Sequence, residues 1–121
     1  MVRISQLVAT LFNYGVIESG EFGGWNYKKY GDGAYEATRV DDIATGTLTS
    51  GSNSIGSATI NYPSPPSGVS EVIITPALVK ASTGTFWLAA PSNATACTAY
   101  RNGSTGAATL TIKFSLTGRW K

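Results

Sequence analysis

Ala108-Thr109-Leu110-Thr111-Ile112-Lys113-Phe114-Ser115-Leu116-Thr117 is the stretch that decides the fold class. Apolar side chains at Ala108, Leu110, Ile112, Phe114 and Leu116 alternate with polar ones at every second position. Successive side chains of an extended chain point to opposite faces, so this period gives one dry face and one wet face. Such a strand has to lay its dry face on a second layer of structure.

Outward from that strand, the chain carries further short strand signals separated by turn residues. Asn102-Gly103 is the strongest turn dipeptide, and Gly84–Ala90 and Ala94–Tyr100 flank the turn Pro91-Ser92-Asn93. Val69–Thr75 reads as a core strand. Before it, the segment 61–68 holds Pro63, Pro65 and Pro66 and is expected to be a surface loop, because proline gives no ladder donor. Ile43–Ser50 and Ile55–Tyr62 form an expected hairpin around Gly51-Ser52-Asn53, and Asp41-Asp42 reads as a turn. Trp25–Tyr30 and Ala34–Val40 form another hairpin about Tyr30-Gly31-Asp32-Gly33-Ala34. Eight or so short strands at this spacing imply an antiparallel β-sandwich or barrel.

The N-terminal residues follow another period. Ile4, Leu7, Val8, Leu11 and Phe12 recur at the spacing of one helical face, and Gly15 stands where helices commonly stop. Ile4, Leu7, Leu11 and Tyr14 also fit the a and d positions of a short coiled coil. Residues 1–15 are thus expected to be the end of a coiled coil, a helix packed on its own domain, or a first strand over 7–17. Residues 16–121 form the β domain.

Composition narrows the function. A chain of 121 residues supports one domain, and its 42% hydrophobic content fills one core. Charged residues are only 13%, against roughly 25% in an average domain, so the surface is largely Ser, Thr, Asn and Gly. The nine basic residues are scattered and the net charge is +2, which argues against nucleic acid as a partner. Lys28-Lys29 reads as a solvated strand edge. Histidine is absent, which removes Ser-His-Asp, Cys-His and His-metal chemistry from a single chain. The single cysteine, Cys97, can form no intramolecular disulfide and reads as a small buried hydrophobe. No apolar run is long enough for a membrane-spanning helix, and the first twelve residues lack the marks of a secretion signal.

Two stretches resemble a known family. Glu18-Ser19-Gly20, followed by Trp25-Asn26-Tyr27-Lys28-Lys29-Tyr30-Gly31-Asp32-Gly33-Ala34-Tyr35-Glu36, resembles the start of the C-terminal head domain of bacteriophage tail-fibre and receptor-binding proteins. Phe114-Ser115-Leu116-Thr117-Gly118-Arg119-Trp120-Lys121 resembles the ending of the same domains, and Ile60-Asn61-Tyr62-Pro63 resembles a strand between them. The sequence departs from that pattern at Ala37-Thr38, where a second aromatic is frequent. The resemblance implies a jelly-roll-like β-sandwich, homotrimeric about a fibre axis. It implies a place at the tip of the virion tail, extracellular on release, with other phage tail proteins and a host-cell surface glycan or protein as partners. On that footing Ile4, Leu7, Leu11 and Tyr14 would line the trimer interface at the end of the fibre shaft.

The candidate ligand-binding residues are Trp87, Asn93, Tyr100, Arg101 and Asn102. An aromatic face packs on the apolar face of a pyranose ring, and planar polar groups on strand ends supply hydrogen bonds to it. Phe86 and Leu88 share one face of their strand, so Trp87 lies on the other. Trp25, Tyr27 and Trp120 could join such a sugar-stacking surface, but Trp25 and Tyr27 are expected in the core or an interface, and Trp120 against the domain base. The carboxylates Glu18, Glu21, Asp32, Glu36, Asp41, Asp42 and Glu71 show no spacing that pairs two of them for hydrolysis, and neither a cofactor nor a metal is expected. A non-enzymatic binding module is the reading of the residues. A free-standing carbohydrate-binding (lectin-like) module and a ligand-free structural tail protein are the alternatives.

Overall fold

A computed structural model of the chain describes residues 15–89 and 95–121. The expected N-terminal helix, with Ile4, Leu7, Leu11 and Tyr14, lies outside the described residues, as does the expected turn at Pro91-Ser92-Asn93. The described chain is all-β and β-sandwich-like. Its strands are β1 (Val16–Phe22), β2 (Trp25–Tyr30), β3 (Ala34–Ala44), β4 (Thr49–Ser50), β5 (Ile55–Asn61), β6 (Ser70–Ala81), β7 (Phe86–Leu88), β8 (Ala96–Asn102) and β9 (Thr109–Arg119). A single 3-10 turn, Ser52–Ser54, joins β4 to β5. The strands make an antiparallel five-stranded sheet, ordered β1-β2-β3-β9-β6, and a four-stranded one, ordered β4-β5-β8-β7.

The chain forms two compact units. Of the described residues, one unit takes those up to Arg39 together with Ser64–Ile73 and Ser115–Lys121; the other takes those within Val40–Pro63 and Ile74–Phe114. In the first, β1, β2 and the start of β3 form a meander in which Lys29 faces Tyr35 and Phe22 faces Trp25. Its core holds Trp25, Tyr35, Ala37 and Leu116. In the second, Leu110, Ile112 and Phe114 of β9 are buried with Ile60, Ile74, Phe86, Cys97 and Ala99. Tyr62 meets Phe114 edge to face, with ring centres 5.7 Å apart. The alternation read along 108–117 thus appears as a strand whose even-numbered side chains from Leu110 to Leu116 are all buried.

Four expectations need correction. Asp41-Asp42 is not a turn, because β3 runs through it to Ala44. Asp42 is exposed and accepts a hydrogen bond from the Thr111 hydroxyl of β9, so its charge sits on the wet face without breaking the ladder. The strand expected at Ile43–Ser50 shrinks to Thr49–Ser50, since the residues up to Ala44 belong to β3. The strand expected to end at Thr75 continues through Pro76 to Ala81. It is the last strand of its sheet, where a missing N–H can face away from the ladder. Lys28-Lys29 is not on an edge strand, because β2 lies between β1 and β3.

Candidate ligand-binding surfaces

The expected ligand residues lie in the second unit. Trp87 of β7 stands directly opposite Tyr100 of β8. Their rings stack at 5.6 Å with planes 21° apart, and Trp87 remains 41% exposed. Phe86, on the opposite face of β7, is buried. Two residues along β8, Asn102 shares the face of Tyr100 and is exposed. Arg101 points the other way: its guanidinium lies 5.5 Å from the Phe86 ring centre and Nη1 donates to the Gly106 carbonyl at 2.7 Å. The structure therefore gathers Trp87, Tyr100 and Asn102 on one face and separates Arg101 from them. Asn93 lies outside the described residues.

In the first unit, the turn after β2 is closed by Gly33 N–H donating to the Tyr30 carbonyl at 3.0 Å and by Ala34 N–H donating to Asp32 Oδ1 at 3.0 Å. The C-terminal residues fasten onto this turn. Trp120 donates its backbone N–H to the Gly33 carbonyl at 3.0 Å and its indole N–H to the Tyr30 carbonyl at 2.8 Å. Arg119 Nη2 donates to the Asp32 carbonyl at 2.9 Å. Gly33 has φ +100, and a Cβ there would lie 2.5 Å from Arg119 Nη2, so any other residue is strained and must displace the guanidinium. Trp25, fully buried as expected, donates its indole N–H to the Ser64 carbonyl at 2.8 Å.

Beside this junction is a cavity of about 200 Å³, walled by Phe22, Tyr27, Tyr35 and Trp120, with Lys29 and the loop 66–69 at its margin. Tyr27 and Tyr35 stack at 5.6 Å with planes 6° apart. Lys29 Nζ lies 5.9 Å from the Tyr27 ring centre, 5.5 Å from that of Trp120, and 3.1 Å from Glu18 Oε2. The Tyr27 hydroxyl donates to the same carboxylate oxygen at 2.9 Å. That bond, followed by the one from Lys29, holds the Glu18 carboxyl below its ordinary value and raises the Tyr27 phenol above its own.

The sequence reading did not place Phe22, Lys29 or Tyr35 in a site. The missed signal was Gly23-Gly24, a two-residue hairpin connection that sets Phe22 against Trp25.

The Tyr30 hydroxyl donates to Glu36 at 2.8 Å across the second hairpin. Cys97 is fully buried, which pushes its thiol up. Among the described residues no three His, Cys, Asp or Glu side chains converge to hold a metal ion. Comparison with protein-family models, curated proteins and solved structures found no match to this chain.

Proposed function

We propose that the chain is a host-attachment module: the jelly-roll-like head of a phage tail fibre, homotrimeric at the virion tip, binding a glycan or protein of the host-cell surface. The observation that carries this reading is the junction of Arg119 and Trp120 with the turn at Tyr30–Gly33. The two stretches that resemble tail-fibre heads stand 87 to 90 residues apart, yet hydrogen bonds join them directly. That meeting supports reading the two stretches together, as the resemblance does.

The ligand surface on this reading is the stacked Trp87–Tyr100 plate with Asn102 beside it. A flat, half-exposed aromatic plate flanked by an amide suits the apolar face and hydroxyls of a sugar. One such contact is weak, and three copies on one axis raise the avidity without new contacts. No catalytic step belongs to this role.

The test pairs solution mass with cell binding. Light scattering on the full chain is expected to give three copies, and labelled protein is expected to bind host bacteria in a manner lost in Trp87→Ala. A stable monomer refutes the fibre head. The plate is complete within one chain, which favours a monomeric carbohydrate-binding module as the second reading; a monomer that still binds glycans selects it.

A further inference from the structure

We propose that the cavity walled by Phe22, Tyr27, Tyr35 and Trp120 is a second binding site, which takes one neutral hexopyranose ring and holds its hydroxyls with Glu18 and Lys29. Lys29 belongs to the lining itself, and Glu18 reaches the site only through its contacts with Lys29 and the Tyr27 hydroxyl. The site stands whether or not the chain belongs to a fibre. Its size sets the first limit. At about 200 Å³ it falls below the roughly 300 Å³ at which sites for drug-sized ligands begin, so it admits a single ring.

Charge sets the second limit. Lys29 already places its ammonium over both Tyr27 and Trp120, so the position a ligand cation would take against these rings is filled from within the chain. Glu18 pairs with that ammonium at 3.1 Å, so an anion arriving at Lys29 also meets a carboxylate. A neutral ligand is what remains.

The third argument is chemical. Aromatic walls offer faces to C–H groups, and the Glu18–Lys29 pair offers a charged acceptor beside a charged donor, the combination that adjacent sugar hydroxyls satisfy together. The pair is not locked in the interior: Glu18 is 50% and Lys29 31% exposed. Phe22, a large apolar side chain of the lining, is 54% exposed.

The experiment uses the full chain and NMR. Methyl α-D-glucopyranoside, methyl α-D-galactopyranoside, methyl α-D-mannopyranoside and N-acetylglucosamine are titrated, with galacturonate and tetramethylammonium as charged counterparts. At least one neutral sugar is expected to shift the Trp120 indole N–H and the Tyr27 ring signals saturably in the millimolar range. Phe22→Ala and Lys29→Met are each expected to weaken it by about five- to tenfold. Trp87→Ala is expected to leave these shifts unchanged. Phe22→Ala removes a half-exposed side chain, so it carries the test if Lys29→Met fails to fold. The proposal is overturned if no neutral sugar moves those signals, or if galacturonate or tetramethylammonium binds more tightly. It is equally overturned if binding survives Phe22→Ala and disappears in Trp87→Ala, which transfers the sugar to the other unit.

Discussion

Replacing Gly33 by alanine is expected to lower the melting temperature by about 10 °C, and the figure follows from the turn that Trp120 and Arg119 fasten. Gly33 sits at φ +100, where an L side chain is strained by about 1–2 kcal/mol. The added Cβ also meets Arg119 Nη2 at 2.5 Å and the Lys121 backbone oxygen at 3.2 Å. Arg119 cannot simply swing away, because its guanidinium donates to the Asp32 carbonyl, and losing that bond costs about 1 kcal/mol more. The whole effect is about 2–4 kcal/mol, and in a domain of this size each kcal/mol moves the midpoint by about 3–5 °C. Gly68→Ala is the control. Gly68 has φ +82, yet a Cβ there has nothing within 4 Å, so it reports backbone strain alone and is expected to lose about half as much. Circular dichroism and calorimetry at one fixed protein concentration measure both. Equal shifts for the two variants, or a Gly33→Ala midpoint within about 2 °C of the parent, refute the claim that the C-terminal residues press on this turn.

Three further outcomes are expected. Among the described residues the Tyr62 hydroxyl is buried without a well-formed hydrogen bond, and burial first, then the neighbouring Cys97 thiol, pushes its pKa up to about 12. Tyr62→Phe should therefore be neutral or stabilising by up to about 1 kcal/mol in urea unfolding, and a clear loss would show a partner for that oxygen. Glu18 has a folded pKa below its ordinary 4.5, owing first to the Tyr27 hydrogen bond and then to the one from Lys29. Its contribution to stability is then full above the unfolded value and fades as pH falls through the lowered folded value. A plot of urea midpoint against pH should have a flatter acid limb in Glu18→Gln, with parent and variant converging at the lowest pH; parallel curves would count against the pairing. Burial raises the Cys97 thiol, so a thiol reagent at mildly alkaline pH should label it only as fast as the protein opens. Immediate labelling of the native protein would contradict its place in the core.

The parts of the fold that were legible are those where burial imposes a strict period. β9 declared itself because Leu110, Ile112, Phe114 and Leu116 all face one core and their neighbours do not. The turn around Gly33 was legible because its backbone favours glycine. β1 was not: all seven of its residues are exposed, so no apolar alternation marks it. Only pairing with β2 makes it a strand, and pairing leaves no trace in a single segment. Asp41-Asp42 misled for a related reason, since a carboxylate on a wet face looks in sequence like a carboxylate in a turn. Of the ligand surface, the side on which Trp87 lies followed from Phe86 and Leu88. Its stacking on Tyr100 depends on strand register between β7 and β8. The departure of Arg101 to the other face follows from β8 running on to Asn102, past the expected end at Tyr100. Tyr27 and Trp120 were legible as aromatics that could stack on a sugar, but the cavity they share was hidden, because its walls come from β1, β2, β3 and the last residues of the chain.

The place of β9 between β3 and β6 has a kinetic consequence. The strand that completes the larger sheet is the last one along the chain, and the bond from Thr111 to Asp42 closes a span of 69 residues. Closure entropy of that kind is met before any contact rewards it, so maturation belongs to the milliseconds-to-seconds regime of non-local β proteins. During that interval β3 stands with one side unpaired and β6, whose only sheet neighbour is β9, with both, available to a neighbouring molecule as readily as to β9. Dilution during refolding, more than temperature or time, should decide how much of the protein arrives at its native state.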